Sequence, residues 1–354
     1  MNKKQILLLS IILGVLALGI LLKSWVRSAT DNTGTPQTGL SAVLKFNPAE
    51  TEEILIQRPA KTGGMPSPAV DLVKANGVWR VKSLWKAKAD PAKVENLIQK
   101  FLSVQGELRG SGKKLFSDFG IEDAEAFSIK FVGAGDKPLT ELRIGTKQAG
   151  VNAYFIRTAA NEDVYLAGLN LAELLGIYAP LEEAIPASFF WADLSLFNLD
   201  PERVTEITVH RLKGEEKTMA AGLERVVDPK DPLKSSWKFL RPGLSSSPDP
   251  DKVMEWIVAM NSVRAEKVVD PAGKGYGLEK PVWQLEVTQG DKKSILIAGP
   301  KDEKGEVVYV KRMDDPAVFV LKASFFDDLN GEDVRLIKEV PPVAVLPEGQ
   351  GKAS

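Results

Sequence analysis

At 354 residues the chain is long for one hydrophobic core, and at about 150 residues per domain it has room for two. With 26% charged and 44% apolar residues it has the composition of a folded globular body, and its 46 basic against 47 acidic side chains argue against a nucleic-acid-binding face. Cysteine is absent, which excludes disulfides, thiolate metal sites and a cysteine nucleophile.

The chain opens with Met1-Asn2-Lys3-Lys4-Gln5, followed by an uncharged run from Ile6 to Leu22, after which charge returns at Lys23. Seventeen helical residues reach about 25 Å, and with Trp25 and Val26 as an interfacial flank they suffice to cross a hydrocarbon core. A cleaved signal peptide processed near Val26-Arg27-Ser28 is the rival reading. Either way the body is led across a membrane. Lys3 and Lys4 with the amino terminus favour a cytoplasmic N-terminus, so residues 1–27 are expected to be an anchor in the cytoplasmic membrane with the body outside the cytoplasm. Residues 28–40 (SATDNTGTPQTG and the leucine after it) have no apolar periodicity and read as a flexible tether.

The body repeats itself. Asp90-Pro91-Ala92-Lys93-Val94 runs on through Ile98 to Ser103-Val104, and Asp249-Pro250-Asp251-Lys252-Val253 runs on through Ile257 to Ser262-Val263 at constant spacing. Upstream, Phe46-Asn47 then Glu53 to Arg58 answers Phe197-Asn198 then Glu206 to Arg211. Downstream, Phe119-Gly120-Ile121-Glu122 answers Tyr276-Gly277-Leu278-Glu279, and Tyr154 to Arg157 answers Tyr309 to Arg312. Two copies are expected, at 41–187 and 188–340, followed by a disordered tail at 341–354 that begins with Pro341-Pro342.

In the first copy, Glu53 to Ile56 alternates as a strand, and Val70 to Lys74 with Val78 to Val81 makes a hairpin about Asn76-Gly77. Pro91 to Val104 carries apolar residues three and four apart, as an amphipathic helix requires. Short strands follow at Phe127 to Phe131, Leu139 to Ile144, Tyr154 to Arg157 and Val164 to Leu166, and a short helix at Leu169 to Leu175. The second copy keeps the order: strands at Glu206 to Arg211, Leu223 to Val227, Ser236 to Leu240, Trp283 to Val287, Ser294 to Ile297, Val307 to Lys311 and Val318 to Leu321, with helices at Pro250 to Val263 and Ser324 to Leu329. Runs of strands broken by so few helices predict an α+β fold: two tandem repeats, each a mainly antiparallel sheet with about two helices, after one N-terminal transmembrane helix.

Trp237, the Asp249-Pro250 helix, Tyr276-Gly277-Leu278 with Pro281, Ile295-Leu296-Ile297 with Gly299, and Val308-Tyr309-Val310 carry a resemblance to the family catalogued as domain of unknown function 4340. It extends over both copies. The first copy departs from the pattern, with Phe119 and Ile121 in place of Tyr and Leu and Ala124 where Pro is expected. The resemblance implies a membrane-anchored envelope protein of the kind encoded beside gliding-motility-type ABC transport components, and it implies no activity and no functional residues.

Each motif that suggests chemistry has a structural explanation. Asp90 and Asp249, each before proline, are favoured helix N-caps. His210 is the only histidine, and its counterpart in the first copy is Gln57, so the scaffold does not require an imidazole. Gly106 to Lys114 (GELRGSGKK) is phosphate-friendly in composition, but its spacing fails the phosphate-loop pattern and it reads as a mobile loop. Glu52-Glu53, Glu182-Glu183 and Asp327-Asp328 suit solvated surface. Trp79 and Trp237 are expected to fill the two cores. The most apolar stretch at the junction holds Phe189, Phe190, Trp191, Leu194 and Phe197, which either pack between the repeats or form an exposed patch for a partner.

No catalytic, cofactor-binding or metal-binding residue is assigned. The expectation is a non-enzymatic envelope protein, spanning the membrane once between Ile6 and Leu22, whose duplicated domain is an accessory or scaffold for an ABC-type transport assembly, with no cofactor and no nucleic acid partner. The alternative is an envelope glycan-binding or glycan-hydrolysing protein that uses the cleft between repeats. That alternative requires a pocket with two unpaired carboxylates and a stacking tryptophan.

Overall fold

The structure is a computed structural model that describes residues 44, 46–58, 69–181, 183–228, 230–244, 247–329 and 335–336. The expected anchor from Ile6 to Leu22, the tether at 28–40, the tail at 341–354 and Glu182 lie outside the described residues. No helix among the described residues is long and apolar enough to cross a membrane.

Two antiparallel sheets dominate. The first contains β1 (Glu53–Gln57), β2 (Val70–Ala75), β3 (Val78–Val81), β4 (Ala87–Lys88), β5 (Gly106–Ser111), β6 (Phe127–Val132), β7 (Pro138–Lys147), β8 (Ala153–Thr158) and β9 (Asp163–Gly168). The second contains β10 (Val204–Lys213), β11 (Glu216–Asp228), β12 (Asp231–Phe239), β13 (Lys267–Val269), β14 (Trp283–Gln289), β15 (Lys292–Lys301), β16 (Val307–Arg312) and β17 (Val318–Lys322). Leaving aside β4, the spatial orders β3-β2-β1-β6-β7-β8-β9-β5 and β12-β11-β10-β14-β15-β16-β17-β13 coincide strand for strand. The duplication is therefore one of topology as well as of sequence. The helices are α1 (Pro91–Ser103), α2 (Phe116–Phe119), α3 (Leu171–Leu175), α4 (Pro250–Met260) and α5 (Ser324–Leu329).

The long helices form as their sequences dictate. Asp90 is extended and its carboxylate accepts the N–H groups of Ala92 and Lys93, with Pro91 in the first turn. Val94, Leu97, Ile98 and Phe101 then face the core. Asp249 accepts the Asp251 N–H ahead of Pro250, and Val253, Ile257 and Met260 are buried. Asp90→Ala and Asp249→Ala are each expected to lower stability by about 1 kcal/mol. Urea unfolding of each variant checks this, and a loss of only a few tenths would show that the caps are dispensable. The second helix ends at Met260, short of the expected Val263. Asn261 leaves the helix to grip Leu199, its side chain exchanging two 2.8 Å hydrogen bonds with that residue's backbone.

Three other expectations are corrected. Gly106 to Ser111 is not a mobile loop but β5, the edge strand paired with β9. An edge strand bonds on one side only, so it tolerates glycine and an exposed Leu108 where a central strand would not. β11 is longer than its apolar pattern suggests, because its pairing with β10 extends back through the polar residues Thr218, Lys217 and Glu216.

The third correction is a one-residue slip. Ile144 pairs with Ile156, and Ala298 pairs with Val310, so Phe155 and not Tyr154 is the counterpart of Tyr309. Phe155 stacks on Phe119 with centroids 4.2 Å apart, as Tyr309 stacks on Tyr276 at 4.4 Å. Because strand side chains alternate, the slip puts Arg157 and Arg312 on opposite faces of their sheets.

Each sheet buries one face in its own core. Ile54, Ile56, Leu72, Leu97, Phe101 and Phe131 lie in the first, and Ile207, Val209, Leu223, Ile257, Leu285 and Phe319 in the second. Trp237 is buried in the second core, whereas Trp79 is only half-buried against the first, with the Lys74 ammonium 6.0 Å from its ring.

Candidate functional site: the seam between the two modules

The segment that joins the modules is a shared strand. After a short 3-10 turn, Ser188–Trp191, its first half pairs with the edge of the first sheet. The Asp90 N–H donates to Trp191 O at 2.8 Å and the Asp193 N–H to Lys88 O at 2.9 Å, bridging Ala89 to Ala192. Its second half pairs with the other module. The Ala265 N–H donates to Leu194 O at 2.8 Å and the Leu196 N–H to Val263 O at 3.2 Å, bridging Ser195 to Arg264. A six-residue segment thus bonds to the first module through Trp191 and Asp193 and to the second through Leu194 and Leu196. The second module closes the matching edge in the same way, with the Asp249 N–H donating to Leu336 O at 2.8 Å.

Apolar contact reinforces the seam. β4 belongs to the first sheet, yet Ala87 is buried in the second core and Leu84 packs against both. Of the aromatic stretch, Trp191 is 1% exposed in the first core and Phe197 is 6% exposed in the second. Phe190 and Leu194 pack partly buried against one core each, and Phe189 is 40% exposed. Of the two alternatives for Phe189, Phe190, Trp191, Leu194 and Phe197, packing at the junction describes all but Phe189. The residues divide between the two cores in chain order, Phe190 and Trp191 packing on the first module and Leu194 and Phe197 on the second, as the connector passes from one to the other.

A buried ionic network crosses the same seam. Asp315, with its side chain fully enclosed, accepts the Lys88 N–H at 3.0 Å, the Ala317 N–H at 3.0 Å and Arg312 Nη2 at 2.7 Å. Arg312 Nη1 donates to Ser195 O at 2.5 Å and lies 3.4 Å from Asp193, while its guanidinium sits 5.0 Å from the centre of the Phe319 ring. Lys88 Nζ pairs with Asp314. Burial works to raise the Asp314 carboxyl, but the Lys88 hydrogen bond and charge, with Arg312 nearby, hold it below its ordinary value. Sequence reasoning missed this network because its members lie far apart along the chain and meet only once both sheets have formed.

Beside the network is a polar cleft of about 430 Å³, lined by Lys88, Asp193, Ser195, Asn198, Lys292 and Asp314 among others. No tryptophan lines it. Asp193 and Asp314 face Arg312 and Lys88, and Asp200 caps the turn after it by accepting the Glu202 N–H. The free pair of acids and the stacking ring that the glycan reading requires are not assembled here.

The other motifs are dispersed. His210 lies on β10 between Met219 and Gln284 of its neighbours, and its Nδ1 is buried without a hydrogen-bond partner. Burial, then the charge of Lys217, pushes its pKa below the ordinary value, against the opposing pull of Glu286. Glu286 is held by Lys217 at 3.1 Å and by Lys293. No group of acids and histidine that could hold a metal ion occurs among the described residues.

A pH dependence follows from His210. The unfolded imidazole takes up a proton more readily than the folded one, so this residue's contribution is complete above about pH 6.5 and is lost as pH falls through the unfolded and then the folded pKa. His210→Gln, which installs the residue found at Gln57, is expected to flatten the fall in stability between about pH 6.5 and 5. Urea midpoints measured across that window check it, and parallel curves for the two proteins would contradict it.

The sequence profile of a family described as a domain of unknown function matches residues 79–243 and 244–337, which together make up most of the chain. Each match opens just ahead of an aspartate-capped helix, the first before α1 and the second before α4. No curated protein and no solved structure matches the chain. The chain belongs to the family Domain of unknown function (DUF4340), which it carries as two adjacent copies.

Proposed function

We propose that this protein is a single-span, membrane-anchored envelope protein whose paired modules act as a rigid, non-enzymatic scaffold for an ABC-type transport assembly. The observation that carries the reading is the shared connector. Two modules joined by a slack linker move independently by default, whereas strand pairing on both sides plus an enclosed aspartate–arginine pair holds one geometry. A surface that is already ordered loses less entropy when a partner docks, as suits a scaffold. The apolar run from Ile6 to Leu22 supports the anchor, and the family resemblance supports the choice of partner.

Two measurements test the two halves of the proposal. Alkaline carbonate extraction is expected to leave the full chain in the membrane pellet and to release a variant lacking residues 1–27. Native pull-down from detergent-solubilised membranes is expected to recover an ABC-type membrane component, identified by mass spectrometry. Recovery of no transport component would overturn the partner assignment.

A further inference from the structure

The two modules differ on the face of the sheet opposite the main core. In the first, Phe116, Ile121 and Val164 form a separate buried cluster with Phe119 and Phe155. Arg157 closes it. This side chain is 2% exposed, lies over the Phe116 ring at 4.2 Å and donates from Nε to Ile121 O at 2.9 Å. Asp123 then neutralises Arg157 at 2.5 Å and Arg143 at 3.2 Å. Glu141 also pairs with Arg143 at 2.8 Å, so an aromatic plug and two arginines balanced by two carboxylates leave no free charge there.

The second module keeps the frame and loses the plug. A Cβ on Gly145 would stand 2.1 Å from Phe119 O, and one on Gly299 would stand 2.0 Å from Tyr276 O, so both sites need glycine for the same close approach. With this match and the strand register, Arg157 corresponds to Lys311, Arg143 to Ile297, Asp123 to Lys280 and Phe116 to Gly273. The Tyr276 hydroxyl lies 2.1 Å from where a Gly273 Cβ would be, so no counterpart of the Phe116 side chain fits. What is filled in the first module is an open cleft of about 600 Å³ in the second. Its apolar lining includes Leu278, Ile297 and Val318, and its charged lining is Lys274, Lys311 and Glu279. Neither lysine is in an ion pair with a described residue.

We propose that this cleft binds a small soluble organic anion, with one carboxylate or phosphate on an apolar body. Lys311 supplies the counter-charge, and the apolar lining, with Leu278 and Ile297 partly exposed and Met313 60% exposed, receives the body. The Tyr276 hydroxyl remains a donor, since burial and then Tyr309 push its pKa up. The assignment is independent of the scaffold function, because Lys311 in the cleft and Arg312 in the seam alternate along β16 and so lie on opposite faces of the sheet.

Titration calorimetry of the full-length protein in non-ionic detergent tests it, with phenyl phosphate as the probe. Binding is expected to exceed that of inorganic phosphate or benzylamine, to weaken about tenfold in Lys311→Gln, and to persist in Lys311→Arg and in the remote control Lys100→Gln. No phenyl phosphate binding, equal binding of inorganic phosphate, or binding indifferent to Lys311→Gln would overturn the proposal. Lys311-dependent binding of dioctanoyl phosphatidic acid much tighter than that of phenyl phosphate would assign the cleft to a lipid headgroup and overturn the soluble-anion assignment.

Discussion

Asp315→Ala is expected to cost about 3–5 kcal/mol of stability, the range for removing one member of a buried, hydrogen-bonded ion pair. The Asp315 carboxylate is enclosed and satisfies three donors at once, the N–H groups of Lys88 and Ala317 and the Arg312 guanidinium. Its removal leaves an arginine that is only 8% exposed with a weak 3.4 Å contact to Asp193 and a distant one to Asp314. It also frees the Lys88 backbone at the edge of the first sheet. Asp315→Asn keeps acceptor capacity but removes the charge, so it is expected to fall between alanine and the parent. Urea unfolding measures the loss, and limited proteolysis reads whether cleavage moves to residues 192–196. A loss below about 1 kcal/mol would mean that the network does not hold the seam.

Trp191→Ala is expected to cost a further large amount, about 3–5 kcal/mol, by emptying a site in the first core. Trp191 is 1% exposed and meets Phe190 edge-on with ring centroids 5.2 Å apart. Its carbonyl also fixes Asp90, the cap of α1, so a collapse of the site disturbs the helix start. Phe189, 40% exposed and two residues away, gives the contrast. Phe189→Ala is expected to change stability by no more than about 0.5 kcal/mol. Thermal or urea unfolding of the two variants separates a packed seam from an aromatic docking face. Comparable small losses for both would favour the docking face.

Local signals in this sequence were legible where one physical rule decides the outcome. Aspartate before proline fixed the starts of α1 and α4, and apolar spacing fixed their buried faces. The repeat predicted that whatever topology the first copy took, the second would share, and the strand orders agree. The α+β expectation holds in its coarse form, with sheet dominating.

What stayed hidden depends on pairing rather than on local pattern. β5 reads as a loop because an edge strand needs neither alternation nor β-branched residues. The alignment of Tyr154 with Tyr309 matched letters, whereas the sheet register matches Phe155 with Tyr309, and one residue of slip reverses a face. The junction was identified as the informative place, but the aromatic residues there are divided between two cores. Lys88, Asp193, Arg312 and Asp315 had no sequence signal in common. A charged residue in an otherwise apolar strand, such as Arg312 after Val308 and Val310, is the nearest thing to one, because a buried charge requires a partner.

The central claim is that the connector fuses the two modules into one rigid body, and the absence of cysteine makes it directly measurable. Cysteines introduced at the exposed helix positions Gln99 and Glu255 take spin labels at no other site. Pulsed dipolar spectroscopy on the full-length protein is predicted to give one narrow inter-label distance distribution, which broadens in Asp315→Ala. A broad distribution in the otherwise unaltered protein would contradict the rigid seam, and with it the scaffold geometry on which the proposed function stands.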